Sequence, residues 1–351
     1  AHGGRERSHS STVPSGDDLR RSRLAAFVTA AGIVPRMRAL LVVNPKATTT
    51  SERSRDVLVR ALRSEVDLTV EYTRKRGHAA TLTRAAAESG VDVVVTLGGD
   101  GTVNEAVNGL MTADSVLSGS TRAPAYRLPA LGVVPGGSTN VFARALGLPR
   151  DWADGTSVIL EGIRDGRHRV IGLGKADDRY FTFCAGIGFD AAVVRRVEQA
   201  RLRGRTSTPA LYLRSMVGQF FSEERKSPPL SVERPGEEAE TGLGNVIVQN
   251  TAPWTYVGDR AINPNPDASF DRGLDLLAVH QLKVVNTTRT VTQMATRTGD
   301  PHGRDVLRMH DQAEFTVVAS RPQAFQLDGD YLGERQKVHF VSVPEALRVI
   351  C

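Results

Sequence analysis

The sequence has 351 residues, 40% hydrophobic and 24% charged, which excludes a fibrous or wholly disordered chain and leaves room for two domains with cores of their own. Lys and Arg number 45 against 39 Asp and Glu, a formal net charge of +6, which favours anionic partners such as nucleotide, anionic lipid surface or nucleic acid without choosing among them. The two cysteines, Cys184 and Cys351, lie far apart, so no disulfide framework is suggested and a reducing cytosol is the default.

Residues 1–36 read as a disordered extension or upstream sequence: Ala1 to Arg23 is rich in Gly, Ser, Arg and His, and the apolar patch Leu24 to Val34 runs straight into Pro35 without a cleavage site. Met37 reads as a natural start. Ala39 to Val43 is a first strand, followed by Asn44-Pro45-Lys46 and a Thr48 to Ser51 cluster that caps a helix carrying Val57, Leu58, Ala61 and Leu62. Leu68 to Tyr72 is a second strand, and Thr73 with basic Arg74-Lys75-Arg76 leads into an alanine-rich helix stopped at Gly90.

Next comes the stretch on which the reading turns, Val91 to Glu105: a short β-branched run, the stop Gly98-Gly99, and a helix with Val103, Ala106, Val107, Leu110 and Met111 on one face. Thr102 and Glu105 have the spacing of a capping box. Glycines at 98, 99 and 101 let an anion approach backbone amides at a helix N-terminus, where the dipole favours negative charge. Asp100 inside such a nest is explained if a cation such as Mg²⁺ lies between it and a phosphate; the plainer alternative is a βα turn in which Asp100 caps backbone groups. Leu131 to Val134 is a fourth strand, turned by Pro135-Gly136-Gly137-Ser138-Thr139-Asn140 into another helix. Repeated βα units predict a parallel, doubly wound sheet, with Asn44, Thr73, Gly98 to Thr102 and Gly136 to Asn140 converging at one edge.

After residue 150 the pattern changes to short strands between Gly, Pro, Asp and Glu turns: Arg169 to Lys175, Tyr180 to Cys184, Leu230 to Glu233, Asn245 to Gln249, Leu274 to Leu282, Ala313 to Ala319, Ala324 to Leu327 and Lys337 to Val343. Helices are expected at Ala191 to Leu202, Pro209 to Glu224 and Asn286 to Arg297. The expected division is therefore an extension over 1–36, a nucleotide-binding α/β domain over 37–150, and a strand-rich substrate domain over 151–351. Arg195, Arg196, Arg201, Arg203 and Arg205, with Phe221, Trp254 and Tyr256 nearby in sequence, read either as a face resting on an anionic bilayer or as a solvated helix face beside core residues. Eight histidines lack metal-ligand spacing and there is no CxxC, so zinc is not supported.

Four motifs in series, Gly98-Gly99-Asp100-Gly101-Thr102-Val103-Asn104-Glu105, Pro135 to Asn140, Ala185-Gly186-Ile187-Gly188-Phe189-Asp190 and Gln326-Leu327-Asp328-Gly329-Asp330, resemble the bacterial diacylglycerol kinase and eukaryotic sphingosine kinase family of lipid kinases, from Met37 nearly to the C-terminus. The resemblance implies an ATP-binding α/β domain and a β-sandwich-type domain with the active-site cleft between them. By position it assigns nucleotide contacts to Asn44, Thr73, the loop Gly98, Gly99, Asp100, Gly101, Thr102, Val103, Asn104 and to Ser138; Glu105, Gly136 and Asn140 of the same turns complete the candidate site. Asp100 is the candidate metal ligand and Asp330 the general base, where the family commonly has glutamate. Asp328 is expected to orient Asp330 or help place metal.

Three departures stand out: Asn140 is followed by Val141 where many relatives have aspartate, Gly172 stands where an acidic residue is frequent, and Arg272 takes the place of an aspartate of a structural metal site. The first two thin the carboxylates around Mg²⁺; at the third a guanidinium is expected to replace the cation. The implied function is an ATP- and Mg²⁺-dependent lipid kinase acting on diacylglycerol or a related lipid alcohol, cytoplasmic and peripheral to the membrane's inner face, with no nucleic-acid partner and with a homodimer left open. The alternatives are an NAD kinase, which shares the Gly-Gly-Asp-Gly-Thr loop, and a non-catalytic nucleotide- or lipid-binding relative.

Overall fold

The computed structural model describes residues 36–47, 51–117, 123–203, 211, 214, 215, 219, 229–280, 282–296 and 298–351. The extension expected over 1–36, apart from Arg36, and most of the helix expected over 209–224 lie outside them.

In chain order the first half runs β1 (Arg38–Val43), α1 (Glu52–Glu65), β2 (Asp67–Tyr72), α2 (His78–Glu88), β3 (Val93–Gly98), α3 (Asp100–Leu117), β4 (Ala130–Pro135), α4 (Val141–Ala145) and α5 (Trp152–Asp165). Strands β1 to β4 are parallel in the order β2-β1-β3-β4. Alternate side chains along a strand face opposite sides, and here both sides are covered. Leu40, Val42, Val94, Leu131 and Val133 pack with Val103, Val107 and Leu110 of α3. Leu41, Val43, Val95, Leu97 and Val134 pack with Leu58 and Leu62 of α1 and with Ile159 and Ile163 of α5. This is the doubly wound layer expected from the repeated βα units. Helix α5 was not expected; Asp151 caps it by accepting from the amides of Ala153 and Asp154, and Gly166 ends it in the left-handed region.

The second half runs β5 (Arg169–Ala176), β6 (Arg179–Phe181), β7 (Cys184–Gly188), α6 (Phe189–Leu202), β8 (Leu230–Glu233), β9 (Glu240–Leu243), β10 (Asn245–Gln249), β11 (Thr255–Val257), β12 (Arg260–Ile262), β13 (Leu274–Val279), α7 (Val284–Met294), β14 (Val306–Gln312), β15 (Glu314–Leu327) and β16 (Asp330–Val349). Its strand pairings are antiparallel, around a core that includes Phe181, Phe315, Phe325 and Phe340. Two expected strands on either side of Pro322 are one strand, β15, which passes Pro322 in an irregular stretch where pairing with β16 is interrupted between Val318 and Gln323.

Strand β16 joins the halves. Its first residues pair with β15, its middle and end with β5, and Val349 pairs in parallel with Leu131 of β4. One hydrogen-bonded path therefore runs from β14 through β16 to β2. Val349 and Ile350 sit in the two cores of the parallel layer.

Candidate active site

The parallel ladder continues past the strand ends and ties the loops together. The Asn44 amide donates to Leu97 O, Thr73 to Val43 O and Gly136 to Gly98 O, each at 2.9 Å. The four expected loops thus meet at one edge. The two glycine turns touch backbone to backbone: a Cβ on Gly137 would lie 2.7 Å from Gly99 Cα, and one on Gly98 would lie 2.6 Å from Thr102 Oγ1. Gly137 is required by the fit of the two turns to each other and Gly98 by the close approach of Thr102 within its own turn, before any ligand arrives. Asn44 Nδ2 donates to Thr102 Oγ1 at 3.1 Å, Gly99 and Gly101 stay partly exposed, and Ser138 is exposed. Asn140 is buried with φ 50°, its Oδ1 accepting from Gly137 N and its Nδ2 donating to Gly137 O; it shapes the turn.

Asp100 takes the plainer of its two sequence readings. Its carboxylate accepts from Val141 N at 3.0 Å and Phe142 N at 3.1 Å, capping α4 and pinning the second glycine turn onto the first. Burial pushes its carboxyl up to about 6 despite those bonds. The expected capping box is also replaced: Glu105 accepts from Gly77 N at 2.7 Å and Ala79 N at 3.2 Å, capping α2 instead of its own helix. Glu105 is therefore held as a brace for the loop ahead of α2. Val103 is core, and buried Asn104 donates to Tyr180 O at 3.0 Å and to Asp328 at 2.7 Å. The side chains of Glu105, Val103 and Asn104 are thus committed to the protein, which leaves the backbone of this stretch as what it could offer a nucleotide.

The turn between β15 and β16 separates its two carboxylates. Asp328 is buried and accepts from Thr182 N, Thr182 Oγ1, Phe183 N and Cys184 N as well as Asn104. It is a fastening between the halves, with its oxygens turned to those donors. Asp330 is one-third exposed, 33%, and pairs with Arg76 Nη2 at 3.3 Å. Its Oδ2 lies where it would meet a Cβ of Gly101 at 3.3 Å. The structure therefore brings Asp330, from the strand-rich half, to the first turn of the glycine helix. Arg76 also reaches Glu198 of α6 at 3.0 Å. Sequence reasoning passed over Arg76; the signal was a basic run at a strand-to-helix loop on the edge where ligands bind.

A diacylglycerol kinase catalytic domain model matches residues 38–176. The diacylglycerol kinase of Staphylococcus saprophyticus is 34% identical over 304 residues, covering 85% of this chain and 90% of the relative. The chain belongs to the bacterial diacylglycerol kinase-like family of lipid kinases. The diacylglycerol kinase of Bacillus subtilis is 28% identical over 306 residues, covering 84% and 90%. A solved structure of a putative diacylglycerol kinase from Bacillus anthracis shares the fold, with a TM-score of 0.68 at 22% identity over 91% of this chain and 98% of that one.

In this lipid kinase the described residues do not form a protein-only cage for a metal ion. Both oxygens of Asp100 are engaged by amides, and among the described residues no group of three or more His, Cys, Asp or Glu could hold a metal ion. The two amide bonds leave each oxygen of Asp100 a further lone pair, so its cap and its expected role as a metal ligand are compatible. At Gly172 a Cβ would lie 2.9 Å from Phe270 O, so no acidic side chain fits there. Arg272 Nη1 donates to His310 Nε2 at 3.2 Å, and the other ring nitrogen donates to buried Asp275 at 2.8 Å, which anchors the Arg272 guanidinium.

The arginine face of the lipid kinase is also partly committed. Arg195 pairs with Glu334 at 3.0 Å and Arg196 donates to Gln219 at 2.7 Å. Trp254 and Tyr256 pack against the parallel layer's core, and the Arg144 guanidinium lies 3.1 Å over the Tyr256 ring. These two aromatics therefore belong to the other side of the sequence's either-or. Arg205, Phe221 and the Arg201 side chain lie outside the described residues. Among the described residues no helix is long and apolar enough to cross a membrane.

Proposed function

We propose that the protein transfers the γ-phosphoryl group of ATP to the hydroxyl of diacylglycerol or a closely related lipid alcohol, giving phosphatidic acid in the former case, at the cytoplasmic face of a membrane. The carrying observation is the Asp330 carboxylate set against Gly101 and paired with Arg76. A kinase needs a nucleotide phosphate, an attacking hydroxyl and a proton acceptor in one line, and a carboxylate beside the first turn of a helix whose N-terminus favours phosphate meets that requirement.

In this reading the amides of Gly99, Gly101 and Ser138 and the side chains of Asn44 and Thr73 border the nucleotide. Asp330 accepts the hydroxyl proton as the oxygen–phosphorus bond forms and the bond to the β-phosphate oxygen breaks, releasing ADP. Arg76, paired with Asp330 at 3.3 Å, positions that carboxylate and offers its charge to the transferred group. A divalent cation enters only as the counterion of the nucleotide. The test is incubation with labelled ATP, Mg²⁺ and a panel of lipid alcohols together with NAD. Label in a diacylglycerol product supports the proposal; label in NAD alone, or in nothing, overturns it.

A further inference from the structure

Among the described residues, helix α7, Val284–Met294, packs on one side. Thr290 and Met294 are buried, and Met294 packs with Leu282, Ile247, Ile262 and Leu277. At 100° per residue, Val291, Val284, Thr288, Thr292 and Val285 fall within one outward arc of about 120°, with Arg289 at its edge. All six are exposed, Val285 to 77% and Val284 to 56%. Thr292 Oγ1 donates back to Thr288 O, which spends its hydroxyl inside the helix and leaves a methyl outward. An arc of three valines backed by threonine methyls is unusual to leave in water, since large apolar patches on a surface mark contact sites.

Charge selects the occupant. The helix contains no Asp or Glu, its first turn has no acidic residue, and its N-cap, Lys283, makes no side-chain cap bond. Asp305 accepts from Asn286 on the inward side of the first turn, while the helix dipole and the exposed Lys283 and Arg289 put positive charge beside the outward valines. Basic groups flanking exposed apolar side chains on a helix lying flat are the pattern that suits anionic headgroups over acyl chains. Leu282, just before the cap, lines a small cavity of about 30 Å³ together with Phe189, Ala192 and Ala324 and with Glu334 of the strand that begins at Asp330.

We propose that the outward face of helix α7 is the surface by which this protein rests on an anionic lipid bilayer. The inference rests on the lipid-kinase reading for its choice of partner, but its test is read without ATP. Full-length protein is mixed with vesicles of phosphatidylcholine, with and without phosphatidylglycerol, and sedimented. The wild type should sediment with the phosphatidylglycerol vesicles, and less so at high salt. Val284→Glu with Val285→Glu should reduce that binding tenfold or more, and Lys283→Glu with Arg289→Glu should remove the preference for anionic vesicles. Unfolding midpoints and turnover of a dispersed short-chain lipid alcohol should stay unchanged in both. Undiminished vesicle binding by the valine variant overturns the proposal, and so does a change from dimer to monomer with vesicle binding intact, which would make the face a contact between copies. If vesicle binding is lost as expected but no lipid is phosphorylated by the wild type, the surface stands and the catalytic reading falls.

Discussion

Asn104 Nδ2 donates to Asp328 across 2.7 Å, joining two residues 224 apart in sequence. Asn104 lies in the first turns of the helix that opens with the glycine loop, and Asp328 lies two residues before Asp330. The bond sets the distance between the glycine loop and the turn that carries Asp330, and the backbone of residues 182–184 closes on the same carboxylate. Asp328→Ala should strip these donors of their buried acceptor and cost on the order of 4 kcal/mol. Urea unfolding would show it as a lowered midpoint, accompanied by lost turnover. A midpoint within experimental scatter of wild type would remove Asp328 from this role.

Asp330, two residues on, should behave in the opposite way. Asp330→Asn is expected to cut kcat by about 10²- to 10⁴-fold, the usual worth of a general base, with ATP affinity and unfolding midpoint nearly unchanged. Asp330→Glu should keep much of the activity. Full kcat in the Asn variant would require another proton acceptor, and Asp328 is too deeply committed to be one.

The cap made by Asp100 predicts a mixed effect. Asp100→Ala should cost about 1 to 2 kcal/mol through the loss of two amide partners, and should raise KM for ATP by letting the second glycine turn move away from the first. Mg²⁺ binding in the absence of nucleotide, followed by calorimetry, should be the same in variant and wild type. A metal site abolished by the substitution would establish the ligand role that the sequence suggested.

Carboxyls pushed up by burial, Asp100, Asp190 and Asp328, make stability depend on pH. Burial pushes Asp100 up to about 6 and Asp190 up to about 7, whereas an unfolded chain releases such protons near pH 4. Between these values the folded protein holds more protons than the unfolded one, so stability falls as pH rises from about 4 to 7 and levels off above. Asp190 accepts from Gln326 Nε2 at 3.2 Å while its Oδ1 has no partner, an arrangement that an amide can copy. Asp190→Asn should therefore be more stable than wild type at pH 8, by about 2 to 4 kcal/mol, and no more stable at pH 4. Equal unfolding midpoints at pH 8 would contradict the buried, costly charge.

The first four strands and the edge they share were legible because a fully buried parallel strand writes itself as a β-branched run and each turn as glycine or asparagine. Helix α5 was missed although Asp151, Ile159, Ile163 and Gly166 are cap, face and stop; its neighbours had been read as the start of the strand-rich half. The site was legible as a set of loops but not as a set of side-chain tasks. Nothing in the spacing of Thr102 and Glu105 tells that Glu105 serves the helix beside it, or that Asp100 caps a helix 41 residues on. Those are tertiary choices among several donors, and local spacing sees only the nearest. Arg76 was hidden for the same reason, since its partners Glu198 and Asp330 come from the other half.

Strand β16 has a consequence for how the molecule comes to exist. The parallel layer is written almost wholly in the first half of the sequence, yet Val349 and Ile350 complete its two cores, and Arg348 hydrogen-bonds to Leu128 O across 220 residues of chain. A ribosome delivers the nucleotide-side strands long before the segment that closes them. Until then Leu131 and its neighbours present an unpaired parallel edge to the cell, and the early half has to wait, partly open, for the late one.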